Sequence, residues 1–243
     1  MNRIVAFYSL ADPVNNAVNS LIIETSTETG SVAVARGGVV IAELSFASRD
    51  VATGARAESL APTVEQCLQL ASLTARDLSE VVCGAGPGGF TSLRSAAALA
   101  KGVCSALTIP LYGVSSLEML AWSAVLPDGD YIALIPAARG ELFAHAFRRT
   151  AGGTAMLRGP YITSDGVAPL RASESGISQQ ADAAVTTCMN FVSVSPLASS
   201  AAAHLIEVRA RGAVDLDSWE PVYGRLAEAQ VKWEAAHGRA LPV

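Results

Sequence analysis

The stretch GAGPGGFTSLRSAAALAKG, residues 84–102, decides how the chain is read. Ahead of it, SEVVCGAG (79–86) has the make-up of a short buried strand, and behind the glycines a helical spacing runs from Thr91 to Leu107. Strand, glycine turn and helix together form the unit that holds phosphates on backbone amides. Two nucleotide motifs overlap on the turn, and each lacks its working residue. Gly84 to Thr91 fits G-x-x-x-x-G-K-[ST] except that Phe90 stands at the lysine, so nothing answers a terminal phosphate's charge. Gly84, Gly86 and Gly89 fit G-x-G-x-x-G, but the next strand, IPLYGV, runs out in Val114, Ser115 and Ser116 with no acid to grip a ribose. What survives is a turn whose amides and helix terminus favour an anion, against the plainer reading of a tight turn made for packing, which is favoured.

The helix behind the loop carries Leu93, Ala97, Ala100, Cys104 and Leu107 along one side, while Ser95, Ala96, Ala97, Ala98, Ala100, Gly102 and Ser105 leave nearly every side small. Another helix could approach it closely, or it could be a central helix buried on its own sheet; both readings stand.

Working outward, LIIETSTETGSVAVARGGVVIAELSF (21–46) alternates β-branched runs with turn residues at Thr29-Gly30 and Gly37-Gly38, which predicts a three-stranded antiparallel meander. Leu60, Val64, Leu68 and Ala71 have helical spacing, with Pro62 in the first turn. Ser115 and Glu118 have capping-box spacing ahead of a third helix. The order to residue 125 is βββαβαβα. A second half, 126–243, opens with two strands in YIALIPAARGELFAHAFR (131–148) joined at 138–140, continues through weakly patterned strands and loops, and predicts a helix over SSAAAHLIEVRARG (199–212). Residues 1–20 read as an amino-terminal extension.

The bulk numbers exclude several classes. With 51% hydrophobic and 16% charged residues the chain is an ordered globular protein, and a net charge of -5 offers phosphate backbones no general attraction. Cys67, Cys83, Cys104 and Cys188 have no CxxC spacing and read as buried thiols of a reducing compartment. Ser9 and Asp12 interrupt the first apolar run, and no stretch reaches the length of a membrane span, so a cytoplasmic, membrane-free protein is expected. His145, His204 and His237 form no HxxxH pair and no G-x-S-x-G elbow is present, so neither a zinc peptidase nor a serine hydrolase is expected. Glu24, at the end of the first strand with Thr25 and Ser26 beside it, could hold a metal-bound water or simply close a turn; one acid alone is a weak metal site, and no metal is expected.

LIIETSTETGSVAV, ESLAP, GAGPGGFTSLRSAAALAKG, PLYGVSSLEMLA and AARGELF, in this order and spacing, resemble the TsaB (YeaZ) family, and PVYGR at 221–225 resembles its carboxyl-terminal signature. The resemblance implies an α/β protein of the actin-like ATPase (ribonuclease H-like) fold, with two related halves of mixed sheet flanked by helices and with catalytic equipment lost. It implies a non-catalytic partner of a TsaD-like protein, acting with a TsaE-like ATPase to make threonylcarbamoyladenosine in tRNA, with tRNA met only through the complex and a homodimer formed in the partner's absence. The peptidase M22 (glycoprotease-like) label that travels with such chains is not supported by any peptidase motif. The family's interface maps onto Leu60, Val64 and Leu68 of the first helix and Arg94, Ala97, Ala100, Lys101 and Cys104 of the second. Glu24, Thr25, Ser26, Gly86, Gly88, Gly89 and Thr91 form a vestigial phosphate site, with no nucleotide held by this chain alone and ATP or ADP expected only at a site shared with the partner. Glu24, Glu58, Ser92, Ala137 and Gly224 stand where the family usually has Asp, His, Gly, Asp and Leu. The alternative class is a small phosphotransferase or ATP hydrolase using Glu24 and the loop, or a paralogue no longer in the complex.

Overall fold

The computed structural model describes residues 17–47, 60–137, 141–163, 174–178 and 191–223. Its first sheet is built from β1 (Asn19–Glu24), β2 (Thr29–Arg36), β3 (Val39–Ala47), β4 (Glu80–Gly84) and β5 (Leu111–Val114) in the order β3-β2-β1-β4-β5. The meander is present, but β1 begins at Asn19, two residues inside the expected extension. Its first turn lies at 25–28 and not at Thr29-Gly30. Gly30 is instead a strand residue opposite Phe46, where a Cβ would lie 2.5 Å from the ring. The Gly37-Gly38 turn is as expected, with both residues at positive φ.

Strand alternation decides which side chains meet which helices. Leu21, Ile23, Val32, Val34, Val81 and Cys83 face α1 (Leu60–Leu70) and α2 (Phe90–Leu107). Ile22, Ala33, Ala35 and Val82 face the other way, onto α3 (Ser116–Ser123) and a helical segment made of a 3₁₀ stretch (Ala198–His204) running into α4 (Leu205–Ala210). That segment was expected to be one α-helix. Its first turns are drawn into 3₁₀ geometry with Ala198 and Ala201 on one face against the sheet, and the Ala198 and Ser199 amides donate to Ser31 Oγ and the Glu43 carboxylate. The carboxyl-terminal half of the sequence therefore returns to cover the first sheet, so the boundary near 125 divides the chain but not the packing.

The second sheet contains β6 (Gly129–Pro136), β7 (Leu142–Thr150), β8 (Gly153–Thr163), β9 (Glu174–Ser178) and β10 (Phe191–Ser193) in the order β10-β9-β6-β7-β8. Its first three strands pair antiparallel, β9 joins β6 in parallel, and β10 joins β9 in parallel, which repeats the pairing pattern of the first sheet. The halves are thus related by topology, although no sequence period announces it. The 138–140 turn between β6 and β7 lies outside the described residues, yet the Ala137 amide donates to the Glu141 carbonyl and closes the hairpin. Helix α3 sits between the sheets, with Met119 and Trp122 on the first and Leu117, Leu120 and Ala121 on the second. A helix apolar on all sides suits that place. Its capping box does not form: Ser115 makes no side-chain cap hydrogen bond, and Arg211 draws Glu118 away with bonds of 2.8 and 3.0 Å.

Candidate functional site

The ends of β1 and β4, the glycine loop and the first turn of α3 converge on Glu24. Its carboxyl group is fully buried, with Oε1 accepting the Ser26 amide at 2.6 Å and Oε2 accepting the Ser116 hydroxyl at 2.8 Å. Gly84 has no side chain because a Cβ there would collide with this carboxyl. Burial raises the Glu24 pKa above its ordinary value, and hydrogen bonds from Ser26, Ser116 and the Thr25 backbone offset part of the rise. An acid so enclosed, with both oxygens engaged, has no coordination position facing outward. Among the described residues no group of three or more His, Cys, Asp or Glu could hold a metal ion.

Three of the loop's amides are committed as well. Ala85 N–H donates to the Val114 carbonyl, Gly86 N–H to Ser116 Oγ at 3.2 Å, and Gly89 N–H to the Ser26 carbonyl at 2.8 Å. Thr25 Oγ1 donates to the Ser92 carbonyl at 3.0 Å, tying β1 to the first turn of α2, and the Thr91 carbonyl accepts the Ser95 hydroxyl. A Cβ on Gly88 would strike the Ser26 backbone. Glu24, Thr25, Ser26, Gly86, Gly88, Gly89 and Thr91 are therefore brought together as the sequence suggests, with Ser26 bonded to Glu24 and Gly89, the bonds of Thr25, Gly86 and Thr91 going to Ser92, Ser116 and Ser95, and the Ser26 hydroxyl buried without a partner.

A pH dependence follows. The folded-state pKa of Glu24 is raised, so the stability it contributes is fully present below the unfolded value, 4.5, and is lost as pH rises through the folded value. Glu24→Gln keeps an acceptor for Ser26 N–H and a donor for Ser116 Oγ. Its urea midpoint relative to wild type should therefore rise as pH increases above the unfolded value, 4.5. A difference that stays constant as pH rises would mean that the carboxyl's folded and unfolded pKa values are alike.

The helix faces divide the expected partner residues between core and surface. Val64 and Leu68 on α1, and Ala97, Ala100 and Cys104 on α2, are each less than a tenth exposed and pack into the core, with Leu60 half-buried beside them. The side bearing Leu93 is the core side, because a sheet packs beneath it. Of the expected set, Arg94 is exposed, with its guanidinium over the Phe90 ring at 5.3 Å, and half-buried Lys101 lies over the Trp219 ring at 6.0 Å. The outward face of α2 is Ser95, Ala98, Gly102 and Ser105, and α1 alongside exposes Glu65, Gln66, Gln69 and Leu70, the last 46% exposed. A Cβ on Gly102 would meet nothing within 4 Å. The 4-3-4-3 stripe from Thr91 through Ser105 was the signal for this face, and it was hidden among alanines.

Burial pushes the Cys67 thiol up to about 12 and the Cys104 thiol to about 11, and Cys83 also rises, so none is an activated nucleophile. His145 lies in β7, with its pKa lowered by burial. Glu58, Cys188, Gly224 and His237 lie outside the described residues. No helix among the described residues is long and apolar enough to cross a membrane.

Two topologically repeated mixed sheets, with an acid at the first strand end and a glycine loop before a helix, define the actin-like, ribonuclease H-like class of α/β proteins. A family model described as "TsaD: tRNA N6-adenosine threonylcarbamoyltransferase" matches residues 41–205. The chain is 33% identical over 129 residues to the tRNA threonylcarbamoyladenosine biosynthesis protein TsaB of Bacillus subtilis, covering 53% of this chain and 54% of that protein. It is 30% identical over 135 residues to the TsaB protein of Escherichia coli, covering 55% and 56%. The chain thus spans about half the length of the curated relatives it matches. The YeaZ structure from Pseudomonas aeruginosa superposes with a TM-score of 0.69 at 22% identity, covering 85% of this chain and 99% of that one. A second structure from that organism, described as similar to peptidase YEAZ, gives 0.70 at 24% identity, covering 86% and 100%. The chain belongs to the family that this TsaD model describes, and within it is similar to the TsaB (YeaZ) proteins.

Proposed function

We propose that the chain is a non-catalytic subunit in threonylcarbamoyladenosine biosynthesis that binds a TsaD-like protein through the outward faces of α1 and α2. A TsaE-like ATPase would join that assembly, tRNA would be met through it, and nucleotide would bind only where the partner supplies the missing charge. The carrying observation is Gly102. Glycine in a helix interior costs about 1 kcal/mol relative to alanine, and among the described residues nothing comes within 4 Å of a Cβ at this position. A second helix crossing at close range does need it. The enclosure of Glu24 weighs in the same direction, since a phosphotransferase would require that acid to reach a metal or a water.

The test is size-exclusion chromatography with light scattering on the full chain mixed with the TsaD-like protein of its own organism. Wild type should form a complex, and Gly102→Arg should weaken it at least about tenfold, with no loss of stability because the Cβ position is open. Gly102→Ala should stabilise the free chain by about 1 kcal/mol while weakening the complex. A complex indifferent to Gly102→Arg would overturn the assignment of the face. Ala97→Arg would be uninformative, because Ala97 is core.

A further inference from the structure

Beyond Gly212, whose φ of +89° ends the helical segment at α4, the chain runs along the open edge of β5 and then across the glycine loop. Val214 N–H donates to the Leu111 carbonyl at 2.9 Å, so the segment takes up edge hydrogen bonding that β5 offers. The Trp219 indole lies on Gly113, where a Cβ would come within 3.1 Å of it, with Lys101 of α2 above its ring. Pro221 is buried, and Val222 N–H donates to the Ala85 carbonyl at 2.7 Å. The Val222 carbonyl oxygen lies 2.5 Å from where a Cβ of Gly86 would be. The Tyr223 ring then meets the Phe90 ring at 4.7 Å, at the position where a phosphate-binding loop would have its lysine.

We infer that residues 212–223 are a built-in strap that holds the glycine loop and the first turn of α2 in place, doing from within the chain what a bound phosphate does for such a loop elsewhere. Backbone, and not side chain, makes the contact: the Val222 side chain is 58% exposed while its amide and carbonyl press on Ala85 and Gly86. A bare Cα at Gly86, which in a phosphate-binding loop lets an oxygen approach, here lets a peptide oxygen approach. Phe90, which removes the charge a nucleotide would need, supplies the ring on which the strap ends. The absent lysine and the carboxyl-terminal Pro-Val-Tyr thus become two halves of one device. Because the strap also meets Lys101 through Trp219, it touches α2 at its start and again near its middle. The face proposed above for partner binding is set by this segment, a consequence that rests on that reading, whereas the strap itself does not.

The experiment is hydrogen exchange by mass spectrometry on the full chain, comparing wild type with Val222→Pro, which removes the amide donor, and with the double variant Val222→Pro/Tyr223→Ala. Amides of residues 86–93 should exchange at least about tenfold faster in the double variant, with an intermediate increase in Val222→Pro and unchanged protection in β1 and β4. Adding magnesium and ATP to wild type should leave the 86–93 amides as they were. Three results would each overturn the inference: unchanged exchange at 86–93 in the double variant, loss of protection throughout the chain in both variants, or further protection of 86–93 by ATP in wild type, since the strap would then yield to a nucleotide. Failure of the partner complex with unaltered strap behaviour would count against the proposed function alone.

Discussion

Gly88→Ala should lower the stability of the chain by about 3 kcal/mol or more, at the upper end of overpacking costs, and its melting temperature by roughly 6–12 °C for a protein of this size. The new methyl group would strike three atoms of Ser26, two of them backbone, so no side-chain rotation relieves it. Ser26 cannot move either. Its amide is bonded to buried Glu24 and its carbonyl to Gly89, while neighbouring Thr25 is bonded to the start of α2. The loop must therefore lift as a whole, breaking the Gly89 bond and pulling against Ser116 at Gly86. Gly102→Ala is the internal control, with the same chemical change placed in open space and the opposite expected sign. Thermal unfolding of both variants checks the pair. Equal melting temperatures would mean that the turn closes on Ser26 less tightly than its geometry requires.

That contrast marks what could be seen in the residues alone. The meander was legible because β-branched residues alternate from Leu21 to Leu44, and β4 because five consecutive residues avoid the surface. The glycine loop was legible as a turn. What fills it was not, since Ser26, Ser116 and Val222 are each remote in sequence and reach it only through sheet order and the return of the tail. The orientation of α2 was left open for a related reason. Alanine lies on both its buried and its exposed sides, so small size identified a close approach without saying whether a sheet or a partner makes it. Leu93 and Leu107 on one side were the better guide, because large apolar residues at helical spacing go to the core. The repeated sheet topology left no trace as a sequence period, because a strand order constrains which segments pair and not which residues compose them.

Arg209→Met should cost about 2–4 kcal/mol, and the double variant Glu80→Met/Arg209→Met should regain a large part of that loss. Glu80 opens β4 with its side chain 4% exposed, accepts the Ser20 hydroxyl at 2.6 Å, and is held by Arg209 through two bonds of 2.7 and 2.8 Å. Removing the guanidinium leaves a buried carboxylate with one hydroxyl for company, the situation in which breaking an ion pair costs far more than the pair is worth against an apolar substitute. Arg209 is itself 31% exposed, so water entering beside Glu80 recovers part of the penalty and the lower end of the range is expected. The position of this pair gives it a second consequence. Arg209 is in the last turn of α4, three residues ahead of Gly212, so the bond to β4 fixes the point from which the chain sets out along β5 toward the glycine loop. Releasing it should loosen residues 212–223 and raise hydrogen exchange at 86–93, whereas Arg211→Met, which frees Glu118 on α3, should leave the loop protected. If Arg209→Met destabilises the chain without reaching the loop, α4 is anchored by its apolar face, Leu205 and Val208, and the strap is held at its far end alone.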